Sequence, residues 1–511
     1  MQLYWDISRT VAVPTRLRDC CLFTYPIQPL LYHLFPSWTN VYRKSTRPRF
    51  RPASDLIMTT SNITFPPELV EAFVEQLAPG NGIILSEEIL QTLIACTLAS
   101  KYFSFAARKR LFSTLMIDKQ PRHLLQRSIP LNKTRTEEEI SRRINTFLDL
   151  LADERSSDLA LMVHSLHIIV DKECIILQQA TNLHGLLKDL SHRAHNLSIL
   201  LVHGRISFSW TTIPQGTADG LQALCRSLPV NHLSFSCVHD IPPIIASVQT
   251  SPHLRHIDLK DSKFGTIEAG MAAGSNISPT RSVTSGNLDL LGSLPRFGSY
   301  EICYTYDGRT HIVSINTTIR YPDDAQRLNQ LLSDERVCSS LRYCCCTFSG
   351  IYRPFLTTTL IDFGTMVLLR QLAIELSIGA DHRTEITTDI TNAMNTLIDC
   401  LYNGNTKSVL QEIKVTLNAE YVLYKGTSMF DTVDFSPLQR LRIDSLWQKH
   451  PLIQSTQFYM NMELKPRNYW PLEVQSSAEE IVRKLITDAL TLPPVDESLL
   501  PKIHICAKRR Y

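Results

Sequence analysis

Apolar residues recur along this chain with two periods, and each period predicts its own set of elements. Leu69, Phe73, Val74 and Leu77 stand at helical spacing, and Leu90, Leu93, Ile94, Thr97 and Leu98 repeat the pattern in a second helix from about residue 87. Pro66 and Pro67 precede the first stripe. Because Pro fixes φ and disfavours helix in the residue before it, that helix is predicted to start at Glu68. The segment through Ile117 is too short to bury all these side chains within itself, so part of its apolar surface is expected to meet another surface. Further on, Thr136-Glu137-Glu138-Glu139 supplies a capping box ahead of Ile140, Ile144, Phe147, Leu148 and Leu151, which predicts an amphipathic helix. Residues 175–190, 220–228 and 388–401 read as helices as well. A last one is placed after the overlapping capping boxes of Ser476, Ser477, Glu479 and Glu480, with Ile481, Leu485, Ile486 and Ala489 as its stripe.

Between the helical patterns lie short strand-like runs with a shared form. They are Val163-x-x-Leu166-x-Ile168, Val230-x-x-Leu233-x-Phe235, Leu254-x-x-Ile257-x-Leu259, Leu369-x-x-Leu372-x-Ile374, Leu410-x-x-Ile413-x-Val415, Leu438-x-x-Leu441-x-Ile443 and Leu500-x-x-Ile503-x-Ile505. Looser versions lie at Leu197 and Leu341, so strands recur every 24 to 41 residues from Leu166 to Ile257 and again from Leu341 to Leu441, with a gap between the two series. Residues 262–299 are rich in Gly, Ser and Ala and are expected to form a flexible insertion. Residues 300–316 then read as a β-hairpin turning at Asp307-Gly308, a pair that favours a type I′ turn.

Two resemblances follow from these residues. The ordered series Phe65-Pro66-Pro67-Glu68-Leu69-Val70, a short helix, Leu93-Ile94-Ala95-Cys96-Thr97-Leu98-Ala99-Ser100-Lys101-Tyr102-Phe103 and the closing Arg110-Leu111-Phe112 resembles an F-box of the form common in fungal F-box proteins. Phe65 stands where Leu is usual, and Pro79-Gly80-Asn81-Gly82 lengthens the turn. The resemblance implies a small helical unit that docks on the Skp adaptor of an SCF-type (cullin-RING) ubiquitin ligase. Its partner-binding residues would be Phe65, Pro66, Pro67, Leu69, Val70, Leu77 and Leu98. The strand-plus-helix units resemble leucine-rich repeats, which implies an irregular α/β solenoid whose surface binds a protein substrate. The expected organisation is an N-terminal extension without fixed structure over 1–60, the F-box-like domain over 61–118, a linker over 119–135, and the solenoid over 136–511 with an insertion around 262–320. An unrelated α/β domain with crossover helices fits the strand runs too. A protein-interaction scaffold, in which the helical pair caps a repeat domain and recruits no ligase, is the alternative reading of function.

Composition narrows this picture without overturning it. A chain of 511 residues exceeds the size of one hydrophobic core, and 44% apolar with 20% charged residues is ordinary for a globular protein. A net charge of +3 argues against a nucleic-acid surface spread over the molecule. Arg43-Lys44-Ser45-Thr46-Arg47-Pro48-Arg49-Phe50-Arg51 is read as a solvated basic stretch. The 13 Cys include no Cys-x-x-Cys and suit reduced thiols. With no signal peptide and no clean membrane span, cytoplasm or nucleus is expected, with no membrane partner.

Candidate chemistry is sparse. His164/His167, His192/His195 and His253/His256 repeat a His-x-x-His spacing, but i and i+3 on a strand point to opposite faces, so the pairs at 164 and 253 are poor chelators. The chain has no phosphate-binding glycine loop, no dinucleotide fingerprint, no His-Glu-x-x-His and no nucleophile elbow. No catalytic residue, metal ligand or cofactor is assigned, and the chain is expected not to be an enzyme.

Overall fold

A computed structural model describes residues 66–78, 87–99, 101–118, 136–153, 156, 158–178, 181–265, 289–306, 308–349, 366–378, 394–395, 398–399, 401–402, 408–422, 434–465, 472–490 and 496–509. Phe65, the extension over 1–60 and the linker over 119–135 lie outside these residues, as does most of the helix expected over 388–401. The chain divides into two compact units, Met1–Leu166 and His167–Tyr511.

The first unit is mainly helical. It contains α1 (Pro67–Leu77), α2 (Glu87–Ala99), α3 (Lys101–Phe112), β1 (Thr114–Asp118), α4 (Glu137–Ala152) and the single turn α5 (Leu159–Met162). Helix α1 begins one residue earlier than expected. Pro67 takes the first helical position, where a missing N–H costs nothing and the fixed φ suits the helix. At the start of α4 the Thr136 hydroxyl accepts from the Glu139 N–H at 3.3 Å, as the capping box predicts. Ile140, Ile144, Phe147 and Leu151 are buried along α4. The Ser113 carbonyl accepts from the N–H groups of His164 and Ser165 at 2.9 and 3.0 Å, which aligns β1 with the strand that starts there.

That strand is β2 (Ser165–Val170), and the chain passes into the second unit within it. There follow β3 (Ile199–Ser209), β4 (His232–His239), β5 (His256–Lys260), β6 (Phe297–Tyr304), β7 (Thr310–Ile319), β8 (Tyr343–Ser349), β9 (Gln371–Ile378), β10 (Glu412–Val422), β11 (Ser455–Lys465) and β12 (Lys502–Arg509). They lie side by side in the order in which the chain makes them. Strands β3 to β5 are parallel, as are β7 to β12, while β6 runs antiparallel to both of its neighbours. The connections carry helices, including α6 (Leu183–Arg193), α7 (Gln215–Ser227), α8 (Pro322–Leu332), α9 (Glu335–Cys338), α10 (Ile443–Leu446) and α11 (Leu472–Leu490). The architecture is mixed α/β.

Alternation along each strand builds the core. The register places Leu200, Leu233, Ile257, Tyr300, Ile315, Cys344, Leu372 and Ile413 in one row, and all are buried. Two residues further along, Val202, Phe235 and Leu259 share a second buried row with Cys346, Ile374, Val415 and Phe458. Gly298 occupies this row too, because a Cβ there would overlap the ring of Tyr300, whose hydroxyl donates to the Pro295 carbonyl at 2.9 Å. The residues between the rows face the other way and form an open, mostly polar face.

Several expectations are corrected. Leu438, Leu441 and Ile443 are buried, yet they lie in a 3-10 turn (Ser436–Leu441) and in α10 instead of a strand. Pro437 explains this, since it presets a helical φ and cannot donate to a ladder. The strand is β11, which presents Thr456 opposite Ile413, where the pattern calls for an aliphatic residue, so the pattern missed it. The hairpin over β6 and β7 forms, but its loop is wider than a two-residue turn. The Thr305 N–H donates to Arg309 O at 2.9 Å, the Gly308 N–H donates to Thr305 O at 2.8 Å, and Gly308 closes the loop at φ +77°. Most of the Gly/Ser-rich stretch, residues 266–288, lies outside the described residues; at its two ends Ser262, Phe264, Leu290, Leu291 and Leu294 are buried. Residues 175–190 form a 3-10 turn (Ile175–Leu177) followed by α6. Helix α11 begins ahead of the serines proposed to cap it, and its buried stripe is Val482, Ile486 and Leu490. Lys508 and Arg509 pair with Glu463 and Leu464 as part of β12.

Candidate protein-docking site

The three helices at the start of the first unit share a small core of their own. Val70, Phe73, Val74 and Ala78 from α1 and its end meet Leu90, Leu93 and Cys96 of α2 and Ala106, Ala107 and Leu111 of α3. Phe73 meets Phe103 edge to face, with ring centroids 5.8 Å apart. The Arg110 Nε donates to the Ala78 carbonyl at 2.7 Å, satisfying the C-terminal end of α1, and the Lys109 ammonium lies 3.3 Å from the Glu71 carboxylate.

This packing rotates the expected stripe of α1 by one residue. Val70 turns inward and is 3% exposed, whereas Leu69 turns outward at 53%. Pro66 and Pro67 are exposed, Leu77 is half-buried against the core, and Leu98, in the last turn of α2, is 59% exposed. Of the residues expected to bind a partner, Pro66, Pro67, Leu69 and Leu98 are therefore reachable, Val70 belongs to the core, and Phe65 lies outside the described residues.

Sequence reasoning missed Tyr102 and Phe105, which are 52% and 55% exposed. They are three apart on α3 and share one face, opposite Ala107 and Leu111. The signal was present: once Ala107 and Leu111 are assigned inward, the aromatic pair must point out. Leu69, Leu98, Tyr102 and Phe105 thus stand outside a core that is already filled.

Chemistry elsewhere is limited. The Ser207 hydroxyl meets His239 Nε2 beside a bulge in β3, where Cys237, Asp240 and Asp261 all take positive φ. Among the described residues His239 Nδ1 has no hydrogen-bond partner, so no carboxylate orients the ring as a nucleophile's base would require. His232 Nε2 lies 2.7 Å from Asp258 Oδ2. Burial works to raise the Asp258 carboxyl, but hydrogen bonds from His232 and Ser299 outweigh it and hold the group below its ordinary value. Cys344 and Cys346 are buried with their sulfurs 3.5 Å apart; that contact, with burial behind it, pushes the Cys346 thiol well up. Such a thiol is a poor nucleophile. Among the described residues no group of three or more His, Cys, Asp and Glu could hold a metal, and no helix is long and apolar enough to cross a membrane.

No family model matches the chain, and no curated protein matches it.

Proposed function

We propose that this chain is the substrate-recognition subunit of an SCF-type ubiquitin ligase. Its helical unit docks on the Skp adaptor through Pro66, Pro67, Leu69 and Leu98, with Tyr102 and Phe105 extending the apolar surface. Its strand-rich unit is a divergent leucine-rich-repeat-like solenoid that holds a protein substrate. The observation that carries the reading is the pairing of a closed helical core with Leu69 and Leu98 left outside it. Strands in chain order, parallel except at β6 and joined through helices except at the β6–β7 hairpin, support the solenoid, in which a repeat buries its apolar surface by stacking on its neighbours. The mechanism is proximity. Holding a substrate beside a ligase-bound ubiquitin raises its effective concentration, and the receptor itself makes and breaks no bond.

The test is co-precipitation of the adaptor with the wild-type chain and with a Leu69→Asp, Leu98→Asp variant. Val70 is left alone because an Asp there would break the core. The wild type is expected to retain the adaptor and the variant to lose it, with both unfolding at the same temperature. Equal retention by the two chains sinks the docking site. No retention by either leaves the second reading, a protein-interaction scaffold that recruits no ligase.

A further inference from the structure

Charge is distributed unevenly over β8 to β12. On the open face Glu375 accepts hydrogen bonds from Thr347 at 3.5 Å and from Asn418, and Glu412 accepts from Gln371 at 3.1 Å and Gln457 at 2.9 Å. The Lys414 ammonium sits 4.3 Å from the centre of the Tyr459 ring. Each of these charges has a neighbour that satisfies it.

One residue ahead of β8 and of β9 the opposite holds. Arg342 and Arg370 are both exposed, and the Arg370 N–H donates to the Arg342 carbonyl at 3.0 Å, so they occupy matching positions on adjacent strands. Adjacent strands lie about 4.8 Å apart, which sets two like charges side by side, an arrangement that weakens a sheet. Among the described residues neither guanidinium has an ion pair or a side-chain hydrogen bond. Three and two residues before Arg370, Val367 and Leu368 are 59% and 41% exposed, with the buried Leu369 between them and the arginine.

We propose that Arg342 and Arg370 form a carboxylate-binding pair that receives an acidic segment of a protein partner, whose apolar side chains rest on Val367 and Leu368. A guanidinium fork takes a carboxylate through two parallel hydrogen bonds, and an anion between two such forks turns their repulsion into attraction. Glu375 and Glu412 do not compete for this role, since neutral donors already occupy them. Only the statement that this partner is the ligase substrate rests on the function proposed above; the binding itself does not.

The experiment uses the full chain and a fluorescein-labelled peptide of alternating Glu and Leu, read by fluorescence anisotropy. A Lys-Leu peptide and an RNA oligomer of equal charge to the acidic peptide are run beside it. The acidic peptide is expected to bind, and to bind more weakly as salt is raised. An Arg342→Glu, Arg370→Glu variant is expected to lose roughly tenfold or more, the scale of one or two charge-assisted hydrogen bonds. Arg342→Lys, Arg370→Lys loses less, because an ammonium keeps the charge but not the fork. Undiminished binding by the Glu variant at an unchanged unfolding temperature overturns the proposal. So does tighter binding of the Lys-Leu peptide or the RNA, or no binding of the acidic peptide by the wild type. Adaptor co-precipitation by the Glu variant separates the two readings: loss of the adaptor site leaves this pair standing, and loss of peptide binding leaves the adaptor site standing.

Discussion

The helical unit and the strand unit handle their apolar residues differently. In the strand unit, Leu233, Ile257, Cys344, Leu372 and Ile413 are flanked by a neighbouring strand on each side, and every one of them is buried. Its exposed large apolar residues sit in the bulge, loops and turns between elements, as Ile206, Tyr306, Val367, Leu368, Trp447 and Leu452 do. In the helical unit Leu69, Leu98, Tyr102 and Phe105 are exposed although they lie on the helices themselves. Repetition explains the difference. A strand added to a sheet brings a new covering surface with it, whereas three short helices close one small core and leave any further apolar residue without cover.

The sharpest test of this contrast is a residue from the interior of a row. Phe458 is fully buried in β11, so Phe458→Ala is expected to cost about 3–5 kcal/mol in guanidinium-induced unfolding. A loss under about 1 kcal/mol would mean that the row is not packed as described. Leu93 is the equivalent position of the helical unit, and Leu93→Ala is expected to cost about 2–5 kcal/mol, read as lost hydrogen-exchange protection over α1 to α3.

Next comes a pH effect confined to the strand unit. His450 is buried; its Nε2–H donates to the Leu401 carbonyl at 2.8 Å, and Nδ1 accepts from the Ser408 hydroxyl. Burial lowers its folded-state pKa below the ordinary 6.5, outweighing the opposing hydrogen bond to Leu401. In that window the unfolded chain takes up a proton that the folded chain refuses, so stability falls as pH drops below 6.5. In His450→Gln this part of the pH slope disappears, whatever its overall stability. A slope unchanged by the substitution would reassign the effect to other groups.

Smaller still is the cap of α4, where Thr136→Ala is expected to cost about 1 kcal/mol in the same unfolding measurement. At the bottom of the scale, Leu69→Ala and Leu98→Ala should each change stability by no more than about 0.5 kcal/mol, despite removing large apolar side chains. A cost near that of Leu93→Ala would show that these residues are covered by the chain itself.

Much of the strand unit was legible in the sequence because alternation and the recurring three-position pattern report burial directly. Ile257, Leu372 and Ile413 each fall in a buried row. The run at Leu438 failed because apolar residues three apart satisfy a helical turn as well as the pattern, and Pro437 decided between them. Strand β11 escaped because Thr456 carries a hydroxyl where an aliphatic residue was sought. In the helical unit the starts of α1, α2 and α4 were legible to within a residue, whereas α3, β1 and α5 were not expected. Nor was the division of labour on α1: Leu69 and Val70 are adjacent apolar residues, and their sequence does not say which of them faces inward.

What the sequence determined by itself is the period of each segment. Prolines, capping residues and apolar spacing act within a few residues of chain, so they set helix α1, helix α4 and most strands without reference to anything distant. Tertiary structure decided which of several equivalent apolar residues the core accepts. Close packing leaves room for Val70 and not for Leu69, and it brings Arg342 beside Arg370 across a strand-to-strand step that local sequence does not encode.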